Sequence, residues 1–324
     1  MKISLLPNGM WEGLQDQLRS HLSIDERCGV YPYQSHYQGL SEVSLSIAQV
    51  MSHKRNLGFV SGSSPLLPPI LSHFSKDSYG IQSSAWSELN TEEKMKTWVE
   101  ALPKDTAMVF LAEDHPITGE IYPWQALDKT LNEKKIFSVR LSHSLWCRSQ
   151  PELGPFSVCI CDVQSDFSLA LTGSRVRVSG LMAPHQDWQK KEYLKIFTDR
   201  QKQFQEKKDL VLQAEKNLIK EFKPFLQTSD RIYDRALFYS EKIHGQYFAE
   251  LLKSELNLSD SNIGTTNLCA WGGVNVYEKW WNPCPNSEIL RGLVYVDVET
   301  LSRPEYEKSF LKVADQCLKS FRQN

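Results

Sequence analysis

The chain has no CxxC pair, no HxxxH or HxH pair and no GxSxG pentapeptide. The first two absences remove the spacing signals of a metal cluster, and the third removes that of an α/β-hydrolase nucleophile elbow. Seven cysteines, Cys28, Cys147, Cys159, Cys161, Cys269, Cys284 and Cys317, form an odd and scattered set, which fits a reducing compartment better than a disulfide scaffold. No apolar run approaches the roughly 20 residues needed to cross a bilayer. Pro7, Asn8 and Gly9 cut the N-terminal apolar patch far below signal-peptide length. A soluble, cytoplasmic protein without a membrane partner is the expectation. Nor is one sign of charge in excess: 37 Lys and Arg stand against 39 Asp and Glu, dispersed among each other, so no nucleic-acid groove is expected. The chain has no internal repeat and no low-complexity tract either.

What is present is room for a large core. A chain of 324 residues accommodates a large domain with a smaller companion. The organising stretch is Phe156 to Gly180, FSVCICDVQSDFSLALTGSRVRVSG. It opens on an apolar, β-branched run, passes through Gln-Ser-Asp and ends in Thr-Gly-Ser-Arg with alternating Val and Arg. The pattern predicts a buried strand, a polar loop and a second strand in the alternating segment. Loops at strand ends are where α/β proteins place their chemistry.

Helical spacing marks residues 10–22, 40–53, 66–74 and 86–102, and CGVYPYQSHYQG between the first two reads as turns. Strands are expected at 56–60, 106–111 and 136–141, with a helix beginning at or after Pro123. Strand, helix, strand at this spacing predicts parallel βαβ units. Residues 185–223 read as a long amphipathic helix ended by Pro224, and 232–256 as another helix. Strands at 269–277 and 290–298 and a helix over 304–321 follow. The fold class is therefore α/β: a large domain with a mostly parallel sheet and a smaller α+β domain. Residues 1–30 form an N-terminal segment, 31–200 the large domain, and 201–324 the connecting helix and small domain.

One turn suits an anion. After the strand at 56–60, Gly62, Ser63 and Ser64 precede a helix, so amide hydrogens and hydroxyls converge at its N-terminus. The bland alternative is a plain turn.

Several segments fall in an order that resembles the fold-type I pyridoxal-phosphate enzymes, the aspartate aminotransferase-like family, over nearly the whole chain. Gly62-Ser63-Ser64 is similar to the family's phosphate-holding turn. His115-Pro116-Ile117-Thr118-Gly119 with Glu-Ile-Tyr-Pro is similar to its Asn-Pro-x-x-Gly segment. The family's next landmark is a strand ending in Asp-x-x-(His/Tyr), whose Asp pairs with the pyridine nitrogen. Here Val139-Arg140-Leu141-Ser142-His143 stands at that place, and Arg140 replaces the aspartate. A guanidinium cannot accept the ring proton. Gly173-Ser174-Arg175 is similar to the second half of the family's Ser-x-Ser-Lys…Gly-x-Arg, while Ser165-Asp166-Phe167-Ser168 occupies the first. No lysine stands anywhere from Val158 to Gly180. That lysine forms the aldimine and moves the α-proton, two roles no other side chain fills equally well.

What the resemblance implies is therefore split. The cofactor-binding set would be Gly62, Ser63, Ser64, His115, Arg140, His143, Ser165 and Arg175. His143 would stack or relay protons, Asp166 is a second catalytic candidate, and Arg291 would meet a substrate carboxylate. A Ser-His-Asp set can be written from Ser142 or Ser165, His143 and Asp162 or Asp166, but such sets can be written for most chains. Three functions remain open. The first is a degenerate aminotransferase-like protein that binds a phosphorylated or anionic small molecule or a protein partner. The second is an active pyridoxal-phosphate enzyme acting on an amino acid, and the third an unrelated hydrolase or transferase on this fold. The resemblance also implies a homodimer, and no metal is expected.

Overall fold

The computed structural model describes residues 8–33, 35–61, 67–114, 119–142, 152–164, 167–176, 198, 202, 208–216, 220–224, 231, 233, 235–258, 263–264 and 292–322. They belong to two compact units. One comprises Met1–Pro116 and Ile121–Gln201, the other Ile117–Glu120 and Lys202–Asn324.

The first unit is built on seven strands: β1 (Gly29–Tyr33), β2 (Asn56–Ser61), β3 (Gly80–Ala85), β4 (Thr106–Ala112), β5 (Phe137–Ser142), β6 (Ser157–Gln164) and β7 (Phe167–Thr172). Their order in the sheet is β1-β7-β6-β5-β4-β2-β3. From β3 to β6 all neighbours are parallel. β7 runs antiparallel to both β6 and β1. All seven residues of β4 and all six of β5 are buried, as a parallel sheet covered on both faces requires. One cover is α4 (Glu92–Ala101) with α5 (Trp124–Glu133). Met95 and Val99 of α4 and Trp124, Leu127 and Leu131 of α5 share a core with Val60, Val109 and Leu111 of the sheet.

The other face carries α2 (His36–Val50). Leu40, Val43 and Ile47 recur at three- and four-residue intervals and are buried. The Ser35 hydroxyl caps the helix by accepting from the Gln38 amide at 3.1 Å. α1 (Asn8–His21) packs against β1, and α3 (Leu67–Lys76) against β3. From β2 the chain crosses outward to β3, then returns to the other side of β2 to form β4, so adjacent strands β2 and β4 lead off in opposite directions. In open parallel sheets, ligands bind outside the carboxyl ends of the strands at such a switch.

Several expectations need correction. The organising stretch forms a second strand at Phe167–Thr172, ahead of the expected place, and the alternating Val/Arg segment past Val176 lies outside the described residues. The turn-rich CGVYPYQSHYQG contains β1 and the start of α2. The helix expected over 86–102 begins only at Glu92, because Glu88 accepts from the Ser84 hydroxyl and the Ala85 amide and closes a turn first. The helix expected over 232–256 is a strand followed by a helix: β9 (Arg235–Tyr239) and α6 (Gly245–Leu256).

The second unit holds a four-stranded antiparallel sheet of order β10-β11-β9-β8, where β8 is Lys223–Pro224, β10 Ile263–Gly264 and β11 Leu293–Asp297. Pro224 thus pairs with Phe238 within a sheet and does not end a helix. α7 (Val298–Leu301) and α8 (Tyr306–Arg322) follow β11. The Phe310 ring lies 5.0–5.5 Å from those of Phe222, Phe238 and Phe248 and centres this second core. Arg231 and Glu215 pair in its interior, and the same carboxylate accepts from the Leu237 amide at 2.9 Å. The strand expected over 269–277 and much of 185–223 lie outside the described residues. Among the described residues, no helix is long and apolar enough to cross a membrane.

Candidate functional site at the carboxyl edge of the parallel strands

Because β2, β4, β5 and β6 are parallel, their carboxyl ends lie along one edge of the sheet. They end at Ser61, Ala112, Ser142 and Gln164. Gly62, Ser63, Ser64, His115, His143, Ser165 and Asp166 each follow one of these ends within three residues in sequence, but they lie outside the described residues, as does Arg291. Glu113 and Asp114, just past β4, are described and buried.

Arg175 is not at this edge. β7 runs back down the sheet, with Thr172 opposite Val158 near the start of β6. The Gly173 amide donates to the Ser157 carbonyl at 2.8 Å and the Arg175 amide to the Pro155 carbonyl at 2.9 Å. A strand of this length spans roughly 17–20 Å, so Arg175 is exposed at the opposite edge. Lys134 and Lys135, between α5 and β5, are at that opposite edge too.

Arg140 lies in the middle of β5 with no exposed surface and faces α5. Its Nε is 3.2 Å from Glu113 Oε1, and its Nη1 is 3.6 Å from Asp128 Oδ2. Neither contact has hydrogen-bond geometry, so both act as ion pairs. Nη2 donates to the Glu152 carbonyl, and the guanidinium sits 4.1 Å over the Trp124 ring. Asp128 is held in turn: it accepts from the hydroxyls of Ser138 and Ser157, the latter at 2.8 Å. Asn132 donates to the Ser157 hydroxyl at 2.8 Å. Burial opposes the charge on Arg140, but Glu113 and then Asp128 outweigh it and hold its pKa above the ordinary arginine value.

An open groove of about 860 Å³ runs beside α5, lined by Trp124, Asp128, Lys129, Asn132, Glu152 and Pro155 among others. Glu92 and Glu133 also line it, so carboxylates outnumber its one lysine and the groove does not suit an anion. Among the described residues, no group of His, Cys, Asp and Glu is placed to hold a metal ion.

No protein-family model matches the chain, and no curated protein matches it. Solved structures do. A NifS-like protein superposes with a TM-score of 0.70 at 9% identity, covering 95% of this chain and 87% of that one. A NifS-like protein from Rickettsia africae ESF-5 gives 0.68 at 9% identity, over 96% and 88%. The ureidoglycine–glyoxylate aminotransferase of Bacillus subtilis gives 0.65 at 11% identity, over 98% and 90%. The chain has the fold of the fold-type I, aminotransferase-like superfamily of pyridoxal-phosphate-dependent enzymes, and is far diverged in sequence from these examples.

That fold implies pyridoxal phosphate, and the wall formed by β5 tests the fit. The resemblance puts a free carboxylate there for the ring nitrogen. This wall instead presents a buried cation whose two neighbouring carboxylates are already engaged with it. On that wall the residues present do not fit the cofactor's ring.

Proposed function

We propose that the chain keeps the aminotransferase-like scaffold, has lost lysine-dependent transamination, and binds a phosphorylated or otherwise anionic small molecule at Gly62, Ser63 and Ser64. The observation that carries this reading is the combination of topology and sequence at the β6–β7 hairpin. β6 delivers the chain to the carboxyl edge, and Ser165 and Asp166 alone join it to β7. Neither is an amine, and none occurs from Val158 to Gly180.

The anion reading is supported by the switch between β2 and β4 and by the N-terminus of α3 at the end of β2. Pro68 and Pro69 fall in the first turn of α3 and have no amide hydrogen to give. Of the first-turn amides only those of Leu67 and Ile70 remain, so most donors would come from Gly62, Ser63 and Ser64 and from the two hydroxyls. A homodimer belongs to the same reading, and sedimentation of the purified protein tests it.

Absorption spectroscopy with added pyridoxal phosphate tests the main claim. No aldimine band and no borohydride-fixed label on a lysine are expected, while inorganic phosphate and pyridoxal phosphate raise the melting temperature in competition with each other. Ser63→Ala with Ser64→Ala removes that rise. A borohydride-stable label on any one lysine at full occupancy sinks the proposal.

A further inference from the structure

A buried guanidinium is tolerated only where opposite charge and hydrogen-bond acceptors surround it closely, because desolvation costs each ion several kcal/mol. Around Arg140 those groups come from three segments: Glu113 follows β4, Asp128 lies on α5, and the Glu152 carbonyl precedes β6. The Glu152 carboxylate adds a weaker attraction from outside. Trp124 closes one face of the guanidinium, and Ser138 and Ser157 orient Asp128.

We infer that Arg140 is the centre of an internal charge cluster with Glu113 and Asp128, and that this cluster has taken over the wall where the resembling enzymes hold a ring nitrogen. The exchange is locked by its partners. Restoring aspartate at position 140 would put a third carboxylate beside two that have lost their cation. It would break the wall and would not recreate a cofactor contact. The inference goes beyond the proposed function and does not depend on the missing lysine. A lysine label would overturn that proposal and leave the cluster standing.

Melting temperatures of the full chain test it at about pH 8 and about pH 5, with Arg140→Met, Arg140→Asp and the triple variant Arg140→Met, Glu113→Gln, Asp128→Asn. Arg140→Met should lower the midpoint by roughly 5 °C near neutral pH, the scale of breaking a buried charge cluster in a chain this long. Burial without a counter-charge disfavours the ionised form of an acid, so the folded variant gains from protonation. The deficit must therefore shrink on acidification. The triple variant, which has no buried charge left to pair, should recover most of the loss and its pH dependence. Arg140→Asp should melt lower still, and millimolar pyridoxal phosphate should raise it no more than inorganic phosphate does. Should Arg140→Met fail to accumulate, Glu113→Gln and Asp128→Asn carry the test, since each strips one partner from the guanidinium and should cost several degrees. An Arg140→Met protein that melts with the parent at both pH values overturns the inference. So does an Arg140→Asp protein stabilised by the cofactor beyond what inorganic phosphate gives, or a Glu113→Gln and Asp128→Asn pair melting with the parent.

Discussion

His36 sits in the first turn of α2 with Nε2 3.2 Å from the Ile160 carbonyl. A carbonyl only accepts, so the ring donates from Nε2, and a neutral imidazole can do so. Burial pushes the His36 pKa from its ordinary 6.5 down to about 4, against the opposing pull of that carbonyl. Between those values the unfolded chain binds a proton that the folded one refuses, so stability falls as the pH drops through this window. The full effect is about 3 kcal/mol. Urea midpoints measured from neutral pH downward should show it, and His36→Gln, which keeps a donor without a charge, should flatten that part of the profile. The identity of Arg140 at a position of interest was plain from the sequence, but its meaning was not. Its partners Glu113, Asp128 and the Glu152 carbonyl are 27, 12 and 12 residues away, and only the packed sheet and α5 bring them together.

At the scale of elements, what the sequence revealed follows burial. β4, TAMVFLA, is legible because a strand covered on both faces must be apolar throughout. β3, GIQSSA, escapes because it is an edge strand with Ser84 as its only buried residue. β1, GVYPY, escapes because Pro32 argues against a strand, although sheet edges tolerate proline. β9 was absorbed into a helical pattern because Ala236, Leu237, Ile243 and Phe248 are all buried at intervals that a helix would also give. The strand ends of β2, β4 and β5, after which the expected site residues follow in sequence, were legible from the sequence. The site was misplaced at Arg175, because a matching Gly-x-Arg says nothing about which way a strand runs. Gly173 in that tripeptide has a purely local task. A Cβ there would stand 1.9 Å from the Gly154 carbonyl oxygen and 2.8 Å from that of Pro155. Gly173→Ala should therefore cost about 1–3 kcal/mol in denaturant unfolding without altering ligand binding at the other edge.

For the whole molecule, the aminotransferase-like architecture is present with almost none of its sequence, at 9–14% identity to solved structures it matches. That combination is reasonable where the sheet is held by interchangeable apolar residues while the chemistry rests on single side chains. The sheet is also demanding to assemble. Its parallel neighbours require crossovers, and its outermost strand joins residues far apart along the chain, so refolding after dilution from urea should take seconds or longer by tryptophan fluorescence. A phase completed within a millisecond would contradict that expectation.

The Gly29 amide donates to the Thr172 hydroxyl, 143 residues onward, and among the described residues all of β1 pairs with β7 alone. The ribosome releases β1 well before its partner β7, which leaves the exit tunnel 143 residues later. Until then that length of tyrosine-rich backbone waits with its hydrogen-bonding groups bare, which makes nascent-chain chaperones the natural guardians of this protein's birth.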